Sequence, residues 1–325
     1  MEYLSIINKF SKNYNYSDEL SALFVYSLTN NQELIIPQRL KKIYKQNFIK
    51  NMHIISELKK IYKICENMNI RQPILLKGTS YIFKFYNDNL GCRNLNDIDL
   101  LIYDKEHYFQ LCELLKSNGY IFSSDYPETL TKNNIKIDLH IELINSARIA
   151  ARREFVNISD WQKHIIKIND FYFLDDNLDF LYSLLHSAIH HSFSEFKWLT
   201  DAYLFIFLKK LAPQNLKKIA EINNILDLLR FCLTYLNLIF ELPQEYQDTF
   251  NLPYKKNVCK YILKKTNKKN CQYLINFLFA NNLQKIRILM NLLFPNKTIL
   301  NLKYPQKNIL AQYIQHYKEI IKSVI

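Results

Sequence analysis

The sequence predicts an α+β protein: a small mixed β-sheet core flanked by an N-terminal and a C-terminal helical region. Three observations carry this reading. Along residues 135–143, Ile135, Ile137, Leu139, Ile141 and Leu143 alternate strictly with Lys136, Asp138, His140 and Glu142, the period of a half-buried strand. On either side of the middle of the chain, apolar residues recur at helical spacing instead. All three glycines, Gly78, Gly91 and Gly119, fall within residues 74–143, so the turns and close approaches that need glycine are expected there.

Residues 1–70 read as an N-terminal helical region. Leu4, Ile7 and Phe10, then Leu20, Leu23 and Phe24, then Ile54, Ile55, Leu58 and Ile61 fit amphipathic helices, with Pro37 at a helix start or turn. No chemistry is expected in this region, only a helical wrap on the core.

Residues 71–174 form the expected α/β core. Ile74, Leu75 and Leu76 make a short buried strand that stops at Lys77-Gly78. Thr79 and Ser80 follow, and a helix then brings Tyr81, Ile82 and Phe85 to one side. Strand, glycine turn, hydroxyl pair and helix together present backbone N–H groups and a positive helix end to an anion. A P-loop is excluded, because the second glycine and the Gly-Lys-Ser/Thr order are absent. The run from Asp97 to Ile102 reads as a strand on which Asp97 and Asp99 project together while Ile98, Leu100 and Ile102 enter the core. A helix from about 105 to 117 closes at Asn118-Gly119. A strand begins at 120–122, residues 126–134 turn the chain into the strand of Asp138, and 171–174 add a short strand.

Residues 175–325 read as the C-terminal helical region. Asp175 and Asp176 are candidate N-caps for a helix that runs toward Phe193 and carries His186 and His190 one turn apart. A further helix holds Trp198, Asp201 and Phe205, and Pro213, Pro243, Pro253, Pro295 and Pro305 punctuate the rest into helices.

Composition narrows the function classes. Of 325 residues, 49% are hydrophobic, which excludes a disordered chain. No signal peptide and no uncharged membrane-length run is read, and the six scattered cysteines lack CxxC spacing. A cytoplasmic protein with free thiols is therefore expected. From Leu252 to the end there are fourteen Lys and Arg against one acid, Glu319, so this tail carries the whole net charge of +13. Lys256, Lys260, Lys264 and Lys268 fall at four-residue intervals, with Tyr254, Tyr261, Tyr273, Tyr304, Tyr313 and Tyr317 as stacking or packing partners, so the tail is an expected footprint for RNA.

Two carboxylates forced side by side repel each other unless something compensates, and hard oxygen ligands suit a divalent metal. Asp97 and Asp99 on one strand and Asp138 on a later one are the candidate metal ligands and catalytic residues for a two-metal site of the kind phosphoryl and nucleotidyl transfer require. Lys77 and Arg93 are candidates to neutralise phosphate charge, and His140 shares the polar face of Asp138 as an orienting or acceptor-contacting residue. His186 and His190 have the spacing of two metal ligands on one helix, but no third ligand is evident. They are instead candidates to line the cleft with Lys197 and Asp201.

At these residues the chain resembles the DNA polymerase β-type nucleotidyltransferase superfamily. The similarity rests on Gly78-Thr79-Ser80 opening a helix, Asp97-x-Asp99 on a strand and a lone Asp138 on a later strand. More narrowly, Leu76-Lys77-Gly78, Arg93 before Asp97-Ile98-Asp99-Leu100, and Asp138-Leu139-His140 are similar to a bacterial group of nucleotidyltransferase family proteins. The clear similarity covers about seventy residues, with a weaker echo through Leu185-His186, His190-His191, Trp198 and Asp201. The superfamily's Gly-Gly or Gly-Ser stands here as Gly78-Thr79 with Ser80 one place later. The resemblance implies a nucleotidyltransferase core and transfer of a nucleoside monophosphate from an NTP, ATP among the candidates, to an acceptor hydroxyl. It implies two Mg²⁺ or Mn²⁺ ions on Asp97, Asp99 and Asp138, and phosphates held at Gly78, Thr79 and Ser80. The tail charge ranks RNA, especially a tRNA end, above a protein or a small molecule as acceptor. Two alternatives stay open: a catalytically silent RNA-binding protein of the same fold, and a toxin or defence component with a neutralising protein partner.

Overall fold

The computed structural model describes residues 4, 5, 7, 15–123, 129–143, 158–265, 271–295, 297, 300, 301, 304 and 307–324. The expected α+β class is what is found: one seven-stranded mixed sheet with helices before and after it.

Before the sheet come the helices α1 (Tyr16–Thr29) and α2 (Lys41–Asn67). Asn15 caps α1 by accepting from the Asp18 N–H, while Asp18 accepts in return from the Asn15 N–H. The sheet strands are β1 (Ile74–Leu75), β2 (Ile98–Leu101), β3 (Ile121–Phe122), β4 (Thr129–Lys132), β5 (Ile135–His140), β6 (Ile165–Ile168) and β7 (Phe171–Leu174). Their order is β3-β4-β5-β2-β1-β7-β6. β2 is parallel to β5 and antiparallel to β1, and β1 is parallel to β7. Ile98, Leu100 and Leu101 are fully buried, so the central strand is covered on both faces.

Two strands differ from the sequence reading. The stretch expected to turn the chain around 126–134 contains β4, and the turn itself is only Asn133-Asn134, both with positive φ. Asparagine tolerates that conformation, and two such residues make the tight hairpin that registers β4 on β5. The β6–β7 hairpin extends the strand expected at 171–174 to an antiparallel pair, turned through Asn169 at φ +53°.

Between the strands, α3 (Lys77–Lys84) follows β1 and α4 (Lys105–Ser117) follows β2. Asp104 caps α4 by accepting from the His107 N–H, and Gly119 at φ +84° ends it, as Asn118-Gly119 predicts. Beyond the sheet follow α5 (Asp176–His191), α6 (Phe196–Lys209), α7 (Pro213–Ile222), α8 (Leu226–Phe240), α9 (Gln244–Phe250), α10 (Lys256–Lys264), α11 (Cys271–Phe279), α12 (Asn282–Leu293) and α13 (Ile309–Val324). Asp175 caps α5, accepting from the Leu178 N–H at 2.8 Å. α5 is the hub: it packs against β7, α6, α8 and α11, and twelve of its sixteen residues are buried, which fixes its position over the sheet.

α2 does more than wrap the core. Its buried Asn47 donates to the Gly91 carbonyl, and its buried Asn51 donates to the carbonyls of Leu90 and Arg93, both at 2.7 Å. Gly91 is required by this approach, since a Cβ there would come within 2.5 Å of the Tyr44 carbonyl oxygen. The helix thus clamps the segment that leads into Asp97.

All six cysteines are buried and none is in a disulfide. No helix among the described residues is long and apolar enough to cross a membrane. Lys256, Lys260 and Lys264 are exposed along α10, as expected for one stripe, while Lys268 lies outside the described residues. Of the tail tyrosines, Tyr304 is buried, and Tyr313 and Tyr317 pack on each other with ring centroids 6.1 Å apart.

Candidate active site

The parallel pairing of β2 and β5 sets Asp99 directly beside Asp138. Asp97 immediately precedes β2, two residues from Asp99 and so directed to the same side of the extended chain. The two strands and the residue before them therefore gather three carboxylates at one point.

Each carboxylate has a different environment. Asp99 is 3% exposed; its Oδ1 accepts from Lys77 Nζ at 2.6 Å and lies 3.0 Å from His140 Nε2. Burial disfavours its charge, but the Lys77 ammonium and the His140 ring more than offset that and hold Asp99 below the usual carboxylate range. Because a carboxylate accepts, His140 Nε2 carries the proton toward it. His140 Nδ1 is then buried with no partner among the described residues. Asp138 accepts from Thr129 Oγ1 at 2.6 Å across the β4–β5 pair.

Asp97 makes no hydrogen bond or ion pair among the described residues, and burial together with the Asp99 charge pushes it up to about 7. The charges of Lys77 and Lys197 offset this only in part, so a half-buried carboxylate beside two others is what a cation would relieve, and the donors are hard oxygens. Among the described residues, no group of three or more His, Cys, Asp or Glu side chains is placed to hold a metal ion by itself. Magnesium is commonly held by one or two carboxylates with substrate phosphates completing the shell, so the donor set fits that ion in company with a nucleotide.

The glycine turn contributes differently from expectation. Lys77 adopts φ +48°, a left-handed conformation that is strained for a residue with a Cβ, in a side chain that meets Asp99. The turn opens α3, whose N-terminus has no side-chain cap. The Thr79 hydroxyl accepts from the Asp99 N–H at 3.0 Å. Ser80 is fully buried and donates to Asp179 Oδ2 at 2.7 Å, on a carboxylate also held by Lys84 and Tyr81. Both hydroxyls expected at phosphates are thus engaged inside the protein, Thr79 with the Asp99 N–H and Ser80 with Asp179. Gly78 is needed because a Cβ would come 2.5 Å from the Arg93 guanidinium.

Arg93 and Asp201 are brought together, but away from the carboxylates. Arg93 is 2% exposed and Asp201 fully buried; Nε and Nη2 of Arg93 both bond the Asp201 carboxylate, and Tyr86 donates to it at 3.1 Å. This pair joins the segment before β2 to α6 in the core, so it sets the position of Asp97 rather than facing a ligand.

His186 is buried near the site, and its protonation is suppressed well below the usual histidine range by burial and by Lys77 and the neighbouring rings. Its ring stacks on His190 at 4.4 Å, and its Nε2 lies 3.2 Å from His191 Nε2. The His191 ring packs against Trp198 at 4.4 Å, beside Lys197, which pairs with Glu195 at 2.5 Å. These side chains form one wall from α5 and α6.

Two contributors are absent from the sequence reading. Tyr182 lies one turn before His186 on α5, where its hydroxyl is buried without a partner among the described residues. Burial raises its pKa to well above the ordinary tyrosine range, although the Lys77 charge opposes that shift. Lys50 reaches from α2 to the Asn94 and Asn96 side-chain oxygens, both at 3.2 Å. The 182, 186, 190 spacing was a legible signal for the first; the second joins residues more than forty positions apart and left no local trace.

No curated protein and no solved structure matches the chain. Residues 17–242 match the family described as "Uncharacterised nucleotidyltransferase", a span that takes in the carboxylate strands, the glycine turn, α2 and the α5–α6 wall. The chain belongs to that uncharacterised nucleotidyltransferase family.

Proposed function

We propose that the protein transfers a nucleoside monophosphate from an NTP to an acceptor hydroxyl. The observation that carries this reading is the juxtaposition of Asp97, Asp99 and Asp138 by the β2–β5 register, beside the uncapped N-terminus of α3. Family membership supports nucleotidyl transfer in general.

Asp97 and Asp138, joined by Asp99, would hold Mg²⁺ or Mn²⁺ together with the nucleotide phosphates. The metal supplies charge neutralisation at the phosphates and a lowered pKa for the acceptor hydroxyl. The N–H groups of Gly78 and Thr79 face the phosphate chain from the helix end. Lys77 exchanges Asp99 for a phosphate oxygen as nucleotide enters. The acceptor oxygen forms the new bond to the α-phosphorus as the bond from that phosphorus to the bridging oxygen of pyrophosphate breaks. The acceptor proton leaves toward the Asp138 side of the site. Arg93 and Asp201 keep the Asp97 segment in place, and Tyr182 with His186 closes the apolar side against water.

The tail charge, with Lys256, Lys260 and Lys264 exposed on α10, supports RNA as the acceptor class, ahead of a protein or small molecule. A second reading, RNA binding without catalysis, draws support from the Lys77–Asp99 pair, which places an ammonium on one of the three carboxylates. Pyrophosphate release separates the two. Wild-type protein with Mg²⁺, NTP and RNA should release it, and Asp97→Ala/Asp99→Ala should not. Salt-sensitive RNA binding with no release from wild type would favour the second reading.

A further inference from the structure

Around the mouth of the carboxylate site stand lysines from three separate elements, none of them tied to a catalytic carboxylate. Lys50 comes from α2 and is exposed; its ammonium rests on the amide oxygens of Asn94 and Asn96, the loop residues that run into Asp97. Amide oxygens orient an ammonium without cancelling its charge. Lys136 lies two residues before Asp138 on β5, exposed and on the same strand face. The register pairs Ile98 with Ile137, so continuing it by one residue brings Lys136 beside Asp97. Lys197, in the first turn of α6, is the third, and its pairing with Glu195 leaves it the weakest of the set.

The charges of Lys136 and Lys197 reach Lys50. Burial lowers the pKa of Lys50 and the charges of Lys197 and Lys136 lower it further, against the pull of Asp97. Lys50 and Lys136 form no ion pair with an acid among the described residues, and like charges held near one another carry a cost that a multivalent anion removes. Lys50 and Lys136 are exposed, whereas Lys77 is already engaged with Asp99.

We infer that Lys50, Lys136 and Lys197 form a seat for the polyphosphate part of the nucleotide and for the pyrophosphate that leaves, with Lys50 its principal residue. This rests on the nucleotidyl-transfer reading of the same site and adds to it the group that grips the β- and γ-phosphates. It also gives α2 a direct part in substrate binding: the helix that clamps the 90–93 backbone presents its lysine to the ligand from the same turns. The seat binds polyphosphate without metal, and Asp97 opposes that binding by charge.

The test uses the full chain and inorganic tripolyphosphate in the presence of a chelator, followed by calorimetry at two salt concentrations. Wild type is expected to bind, more weakly at the higher salt. Lys50→Ala should weaken binding about tenfold and Lys136→Ala by a smaller factor, while Lys50→Arg retains it. Asp97→Asn should tighten it, a sign that no merely structural role of Lys50 or Asp97 produces. Circular dichroism and the melting temperature of each variant check that the fold is kept. Absence of metal-free binding in wild type, equal affinity in Lys50→Ala, or no gain in Asp97→Asn would overturn the seat. Pyrophosphate release measured on the same proteins keeps the two readings apart. Lys50-dependent binding without turnover leaves the seat and removes the transferase, and turnover indifferent to Lys50 does the reverse.

Discussion

Lys77 Nζ lies 2.6 Å from Asp99 Oδ1, so the residue that opens the glycine turn is tied to the central strand of the carboxylate site. The pair is nearly buried, with side-chain exposures of 16% and 4%, and removing one partner strands the other. Lys77→Met is expected to lower the unfolding free energy at pH 7 by about 3 kcal/mol. The depressed pKa of Asp99 sets the pH dependence: its contribution is present above the ordinary carboxylate value of 3.8 and is lost as the pH falls through the lower folded value. The gap between wild type and variant in denaturant titrations should therefore stay constant above pH 4 and close only in stronger acid. A gap unchanged at pH 2 would contradict the pairing.

Asp97 behaves in the opposite sense. Its pKa is raised from 3.8 to about 7, so the folded chain holds a proton that the unfolded chain releases. The stability this gives is complete below pH 4 and is lost as the pH rises through 7. Asp97→Asn should remove that decline and be more stable than wild type at pH 8 by about 2 kcal/mol, with little difference at pH 4. Mg²⁺ should raise the melting temperature of wild type at pH 8 and leave Asp97→Asn/Asp138→Asn unmoved.

Ser80 separates a structural hydroxyl from a phosphate-binding one. Its bond to Asp179 predicts that Ser80→Ala costs about 1–2 kcal/mol of stability while KM for NTP stays within about twofold. A tenfold rise in KM with unchanged stability would place Ser80 at the phosphates instead.

Arg93 and Asp201 supply the strongest stability prediction. Arg93→Met leaves Asp201 charged and buried and should cost about 3–5 kcal/mol. Gly78→Ala drives a Cβ into the same guanidinium and against Leu95 Cδ1, so it should destabilise in wild type and less in the Arg93→Met background, where only the Leu95 contact remains, a coupling that a double-mutant cycle of melting curves reads directly.

What was legible in the sequence was local. Asp97-x-Asp99, the alternation through Asp138 and His140, and the Asn118-Gly119 stop each express a backbone period or turn within a few residues; the helix ends as expected, while β2 begins one residue after Asp97 and β5 ends at His140, short of Leu143. The β4 strand was hidden because Thr129–Lys132 is short and holds a single apolar residue, Leu130; its pairing with β5, not its own pattern, makes it a strand. Long-range partners left no mark. Ser80 finds Asp179 across 99 residues and Arg93 finds Asp201 across 108, so a hydroxyl and a guanidinium that read as phosphate ligands were already engaged in the core. Lys50 was hidden for the converse reason: a lysine on an amphipathic helix looks like solvated surface until the chain brings Asn94 and Asn96 beneath it.

The most direct test of the central claim is transfer of label from α-labelled NTPs. Wild-type protein and Asp97→Ala/Asp99→Ala would each be incubated with Mg²⁺ or Mn²⁺ and total RNA, and the RNA, protein and small-molecule fractions separated. Metal-dependent label is expected in RNA with wild type alone, from one preferred nucleotide. Label in the protein or small-molecule fraction would keep the chemistry and overturn the RNA acceptor. No label in any fraction with either ion, from protein shown to be folded, would contradict the transferase.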